Sequence, residues 1–366
     1  MEVYIVATLK NNIDKLKEQL VSYESINLNR VKGLVEDYID NKTRVSRAEI
    51  ILTDKCNLQC CYCKKRKRID EYEDALPKEA LLDSIRKWSE HGCKFIHVTG
   101  GEVTTVSYLN EIIELCGSLE IKVSISTNAT ASIELYKELI QKGLKSVHIS
   151  LDTSDSKQLD QMVGVEGSFN KVIDTINCIT DMRDNENYDI NLTFNTCVTP
   201  TTISTLPQIL KFLLDLKPND IKLIPISQLK NEWPRYKEEY FNNIYPLVKD
   251  MVPEKGFNML KSRLEILVKP QFRGYNDLGI SSECFLMGAE RTIDPKGNYY
   301  GCYINYREGG KIIGNILEDS FEEQTRKIKL EAKNLSQNNI CKQYCADITV
   351  LCNLLVGEMI EDKVHS

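Results

Sequence analysis

Between Arg47 and Pro225 six short apolar runs rich in β-branched residues alternate with longer segments of 3.6-residue period, and this alternation constrains the fold most. The strands are expected at Ala48–Thr53, Phe95–Thr99, Val123–Thr127, Val147–Leu151, Ile190–Val198 and Ile221–Pro225. Helices are expected at Lys78–Glu90, Ser107–Cys116, Ser132–Lys142, Phe169–Met182 and Leu206–Leu216, several closed by a glycine (Gly92, Gly117, Gly143). Strands separated by helices pair in parallel through right-handed crossovers. The class expected is therefore α/β, a partial (β/α)6 barrel of the TIM-like kind, with functional groups at the C-terminal ends of its strands.

The chain of 366 residues has room for more than this barrel. The expected division is an N-terminal extension at 1–46, a core at 47–228, a helical linker at 229–283 and a small domain at 284–366. The extension reads as a strand-like Val3–Leu9 and two amphipathic helical stretches, the linker as helices at Tyr240–Val252 and Gly256–Val268. With 42% hydrophobic and 27% charged residues the composition is that of a globular protein. A net charge of −6 gives no overall basic field, so nucleic acid is not an expected partner. No apolar run reaches membrane-spanning length and no export leader opens the chain, so a cytoplasmic location with reduced cysteines is expected.

The positions of the 13 cysteines carry most of the chemistry. Directly after the first strand, Cys56, Cys60 and Cys63 stand at CxxxCxxC spacing with Cys61 between them. Three soft ligands on one loop hold three irons of a four-iron cluster and leave the fourth open; the alternative, zinc, asks for a closed set of four. The second strand ends in Gly100-Gly101-Glu102, where glycines allow close backbone approach and a carboxylate can accept from an ammonium group. Ser126-Thr127-Asn128 ends the third strand and Ser150-Leu151-Asp152 the fourth, groups suited to ribose and amino-acid ligands.

In this order the motifs resemble the radical SAM superfamily over about residues 47 to 226. The resemblance implies a 4Fe–4S cluster on Cys56, Cys60 and Cys63, whose open iron chelates S-adenosyl-L-methionine, and reductive cleavage of that cofactor to a 5′-deoxyadenosyl radical that abstracts a substrate hydrogen. It further implies cofactor binding by Gly100 and Gly101, adenine contact by Tyr62, acceptance from the methionyl ammonium by Glu102, and ribose or carboxylate contacts from Ser126, Asn128 and Ser150. One departure is that Gln161–Phe169 lacks the arginine many relatives carry there.

The later cysteines, Cys284-x12-Gly297-x4-Cys302 and Cys341-x3-Cys345-x6-Cys352, resemble a SPASM/Twitch auxiliary domain, with a hairpin turn at Ile293–Asn298. Five cysteines imply one auxiliary iron–sulfur cluster, on Cys284, Cys302, Cys341 and Cys345 with Cys352 as a substitute; a zinc knuckle is the alternative. An auxiliary cluster implies oxidation of the substrate, by dehydrogenation or bond formation, or epimerisation. The short extension points to a leaderless peptide or a small metabolite such as a sugar or aminocyclitol. A flavodoxin or ferredoxin is the expected reductant, with Lys64–Arg68 beside the cluster loop as its docking patch or as a solvated face. The reading of a different class is a noncatalytic zinc-binding protein, colourless where an iron–sulfur protein is brown. Cys116 and Cys178 continue apolar helical faces, Cys197 is a packing residue or a hydrogen-atom donor facing the substrate, and His97 and His148 read as core histidines.

Overall fold

The computed structural model describes residues 28–63, 76–268, 283–334, 338–345 and 347–365. The expected strand at Val3–Leu9 and the basic run Lys64–Arg68 lie outside them. The chain forms two compact units, one of Met1–Glu49, Glu79–Phe95 and Gln271–Ser366, the other of Ile50–Lys78 and Ile96–Pro270.

The larger unit is built on a run of six neighbouring strands in chain order: β1 (Arg47–Thr53), β2 (Phe95–Gly100), β3 (Lys122–Thr127), β4 (Ser146–Ser150), β5 (Asn191–Val198) and β6 (Asp220–Pro225). β3 to β6 pair in parallel, and the sheet is not closed into a full barrel. One face is apolar and buried, through Ile96 and Val98, Val123 and Ile125, Val147 and Ile149, Leu192 and Phe194, and Ile221 and Leu223. Each such side chain contributes roughly 1.5–3 kcal/mol when fully buried. The alternate positions carry polar groups instead: His97, Ser124 and Ser126, His148 and Ser150, Thr193, Asn195 and Cys197, and Lys222. Register aligns them into rows, with Ser126 opposite His148, His148 opposite Thr193, and Asn195 between Ser150 and Lys222. A two-residue side-chain period thus makes one face a core and the other a polar surface.

Every expected strand forms within one residue or so of its sequence boundary. Gly117 does not close its helix, which runs Leu109–Ser118; Glu120 instead takes the left-handed conformation at φ 55°. A helix at Ser156–Val163 was not anticipated. Asp155 caps its N-terminus by accepting from the Gln158 N–H, and Gly164 ends it at φ 73°. The Tyr240–Val252 segment begins with a π-helical turn at Tyr240–Ile244 before Tyr245–Met251. Cys116 is buried, as its helical face requires, but Cys178 is only half-buried, at the margin of its helix.

The smaller unit carries an antiparallel ladder of β7 (Glu290–Ile293), β8 (Asn298–Tyr300) and β9 (Gly314–Asn315). Its first turn is the expected hairpin: Gly297 sits at φ 81°, and Asp294 Oδ1 accepts from the N–H groups of Lys296 and Asn298. The helix Leu28–Ile39 packs on the C-terminal helix Asp347–His365, and the Tyr38 ring meets Phe285 edge-on at 5.3 Å. His91 lies 4.0 Å from Phe321 between ring centroids, and Ser46 N–H donates to Ala289. No helix among the described residues is long and apolar enough to cross a membrane.

Candidate active site

The loop that leaves β1 presents Cys56, Cys60 and Cys63 at the C-terminal end of the strands, with Cys56 and Cys63 exposed and Cys60 half-buried. Its backbone is anchored from two sides. Gln59 and Cys61 N–H donate to the carbonyls of Val163 and Met162 at the end of the unanticipated helix, and Gly101 and Glu102 N–H donate to Thr53 and Lys55. The second anchor explains the paired glycines. A Cβ on Gly100 would stand 2.3 Å from Thr53 O, and one on Gly101 2.2 Å from Lys55 O, so the loop passes where any side chain would be. Gly101→Ala is expected to destabilise the fold by on the order of 3 kcal/mol and to impair iron uptake at Cys56, Cys60 and Cys63, read by thermal unfolding and by iron content after reconstitution.

Asn128, at the end of β3, ties the same loop from above. Its side-chain N–H donates to Asn57 Oδ1 at 2.8 Å and approaches Cys56 Sγ at 3.9 Å, while Leu58 N–H points at the same sulfur from 3.4 Å. Donors aimed at a sulfur favour its thiolate, the form that binds iron. Burial pushes the Cys60 thiol up to about 12, with the neighbouring Asp152, Cys56 and Cys63 charges adding to it. Thiols that raise one another in this way are relieved by a cationic centre, so the donor set fits a thiolate-bound cluster. Among the described residues no three His, Cys, Asp or Glu side chains close on a common metal-binding point.

Glu102, expected to accept from a methionyl ammonium, is fixed by its neighbours at the ends of β2 and β3. Its side chain is 1% exposed, and its carboxylate accepts from Thr104 N–H, the Thr104 and Thr127 hydroxyls, and the Asn128 N–H at 2.6 Å. Burial raises its pKa while those four donors oppose the rise. In this arrangement the carboxylate braces the end of β2 against the end of β3. Ser126 is half-buried with its hydroxyl 3.0 Å from His97 Nε2, and His97 Nδ1 is 2.7 Å from Ser124. Ser150, exposed, ends β4.

Tyr62, expected beside an adenine, donates its hydroxyl to Asp152, whose carboxylate is expected among the ribose- or amino-acid-binding groups at the strand ends. Asp152 is 1% exposed and also accepts the Cys197 N–H at 2.6 Å, so it joins the cysteine loop to β5. Burial pushes its carboxyl up to about 6, against the lowering effect of both hydrogen bonds. With a folded pKa above the unfolded value, the native state binds the extra proton, so this group's contribution to stability falls as pH rises from about 4 to 6. In the apoprotein, Asp152→Asn is expected to remove that slope from a series of unfolding curves taken across this window. Cys197, half-buried on the polar face, has its thiol pushed well up by burial and by Asp152. His148, read as a core histidine, is half-buried on the same face; burial lowers it to about 3, with the Lys222 charge adding, so its ring is neutral. In the sequence His148, Asn195 and Lys222 are legible only as parity, polar residues at every second strand position.

In the smaller unit Cys284, Cys341 and Cys345 are buried and Cys302 is half-buried. Cys345 is raised first by burial and then by Cys284, Cys302 and Cys341 together, which brings the four into one neighbourhood. Cys352 is buried on the C-terminal helix, next to Asn353, whose side chain holds the Glu283 carbonyl and the Phe285 N–H.

Residues 50–213 match the sequence family described as the Radical SAM superfamily. The chain carries a radical SAM domain. The domain's relatives include the GTP 3′,8-cyclase of Listeria welshimeri, 32% identical over 39% of this chain and 41% of that protein. Another, from Pyrococcus abyssi and described as "Probable GTP 3′,8-cyclase", is 35% identical over 33% of this chain and 40% of that protein. The chain thus spans about two fifths of the length of these relatives. Among solved structures, Streptococcus suis SuiB bound to S-adenosylmethionine superposes with a TM-score of 0.57 at 15% identity, covering 88% of this chain and 81% of that one. anSMEcpe with bound AdoMet and Cp18Cys peptide gives 0.54 at 15% identity, covering 87% and 97%. These likenesses are of fold, and they extend past the radical SAM domain into the rest of the chain.

Proposed function

We propose that the chain is a radical SAM enzyme that modifies a polar substrate oxidatively, with a peptide or small metabolite as that substrate. When bound, the 4Fe–4S cluster and S-adenosylmethionine supply a 5′-deoxyadenosyl radical able to abstract a substrate hydrogen. Cys56, Cys60 and Cys63 hold the cluster. Gly100 and Gly101 offer backbone to the cofactor and Glu102 its carboxylate, Asn128, Ser126 and Ser150 offer it polar contacts, and Tyr62, through Asp152, fixes the loop that carries the thiols. Cys284, Cys302, Cys341 and Cys345 would hold an auxiliary iron–sulfur cluster, which would supply an electron acceptor for the oxidation. A flavodoxin or ferredoxin supplies the electron that starts the cycle.

The observation that carries the reading is the polar face of the sheet at the three-cysteine loop. His97, Ser126, His148, Asn195 and Lys222 line it, Ser126 level with His148 and Asn195 level with Lys222, and such a surface receives hydroxyl, amide or carboxylate groups. Cys197, on that face beside Asp152, favours one second reading, epimerisation, in which its thiol returns a hydrogen atom to the substrate radical. Reconstituted protein with dithionite and S-adenosylmethionine is expected to release 5′-deoxyadenosine, followed by chromatography; none from fully iron-loaded protein would refute the proposal. Adding candidate peptides and sugars in D2O separates the two outcomes. An oxidised product gains no solvent deuterium, whereas an epimer gains one. GTP is included on the strength of the cyclase relatives, and its consumption would replace the peptide or metabolite substrate.

A further inference from the structure

We propose that Asn305 is a positioning residue for the auxiliary cluster, holding the sulfurs of Cys302 and Cys341 with one amide group and raising the cluster's reduction potential. The inference rests on reading Cys284, Cys302, Cys341 and Cys345 as ligands. Asn305 is 4% exposed and lies on the short helix Tyr303–Arg307, which begins directly after Cys302. Its Nδ2 stands 3.3 Å from Cys302 Sγ and 3.7 Å from Cys341 Sγ, so two cysteines 39 positions apart in sequence meet at one nitrogen.

The orientation of that amide follows from its neighbours. Asn338 caps the helix Asn339–Tyr344, its Oδ1 accepting the N–H groups of Ile340 and Cys341 at 3.0 and 3.1 Å. With its oxygen committed, Asn338 can offer only its side-chain N–H to Asn305, and it does so to Asn305 Oδ1 at 3.1 Å. Asn305 must therefore turn its own two N–H donors toward the sulfurs. The Asn305 backbone carbonyl is held in turn by Gly310 N–H at 2.7 Å, so the residue is fixed at both ends. The same helix N-terminus delivers Cys341, so cap, amide and ligand form one chain of hydrogen bonds.

A donor that favours sulfur carrying negative charge favours a reduced cluster more than an oxidised one, because the added electron increases the charge on the sulfurs. An electron acceptor beside a substrate radical benefits from such a shift.

The test uses the full chain with Cys56, Cys60 and Cys63 replaced by Ala, so that only the auxiliary cluster is loaded. Asn305→Leu and Asn305→Asp are compared with this parent by iron content, circular dichroism and a redox titration followed by electron paramagnetic resonance. Both remove the N–H donors, and Asp keeps the shape and the bond from Asn338. The expected result is retained iron and a midpoint shifted to lower potential in both, with Asn305→Gln returning part of the way. An unchanged midpoint with iron intact would overturn the role of Asn305 and leave the cluster reading standing. A parent that takes up no iron would instead refute the cluster reading. Loss of iron from both variants would make Asn305 a structural part of its loop and also overturn the proposal.

Discussion

Replacing Cys56, Cys60 and Cys63 together by Ala is expected to reduce 5′-deoxyadenosine formation to background and to remove about four irons per chain. The three thiols are the soft donors of one loop, and that loop is held by backbone bonds to Val163, Met162, Thr53 and Lys55 that no cysteine side chain makes. The fold should therefore survive the substitutions, with an unchanged circular dichroism spectrum. Cys61 lies exposed between the ligands, so Cys61→Ala is the control that should keep both iron and cleavage. If Cys61 proves necessary in place of Cys60, the ligand choice within the loop is wrong although the domain stands.

Substitution of Cys302 and Cys341 by Ala is expected to act in the opposite sense. About four irons should be lost again, but cleavage of S-adenosylmethionine should persist, since these residues belong to the smaller unit and the loop of Cys56, Cys60 and Cys63 to the larger. Oxidised product should disappear. The thermal unfolding of the variant should also shift downward, because metal bound to thiolates in a small, loop-rich region is itself folding energy, on the order of 10 kcal/mol for a structural site. Product at the wild-type rate from a folded variant would make the second cluster structural or absent.

How much of this was legible beforehand depends on whether the signal is local. The six strands are local, since β-branched runs such as Ile50–Thr53 and Phe95–Thr99 declare themselves by composition, and all appear. The hairpin at Gly297 is local too, as its Asp and Gly perform their turn roles within five residues. The partnership of Tyr62 with Asp152 spans 90 residues and depends on how the end of β4 meets the cysteine loop, which no spacing encodes. Glu102 shows the converse. Its motif is local, but how its carboxylate lies is fixed by donors from Thr127 and Asn128 at the end of the next strand. Asn305 left no trace because an asparagine three residues after a cysteine is unremarkable until Asn338 and Cys341 close around it.

The way the chain passes between its two units has a consequence for synthesis. The smaller unit takes Met1–Glu49 and Glu79–Phe95 from the beginning of the chain and the rest from beyond Pro270. Its early pieces are apolar: Val31 and Val35 on one helix and Leu81, Ile85 and Trp88 on another are buried in the finished protein. Phe285, Ala289 and Phe321, which meet Tyr38, Ser46 and His91 of these pieces, leave the ribosome only after residues 96–270 have been made. At ~5–20 residues per second this is a delay of roughly ten to forty seconds. For that interval the early helices of the smaller unit stand without these partners. It also means that no single cut yields two intact halves: a fragment ending at Pro270 would expose the same surfaces permanently.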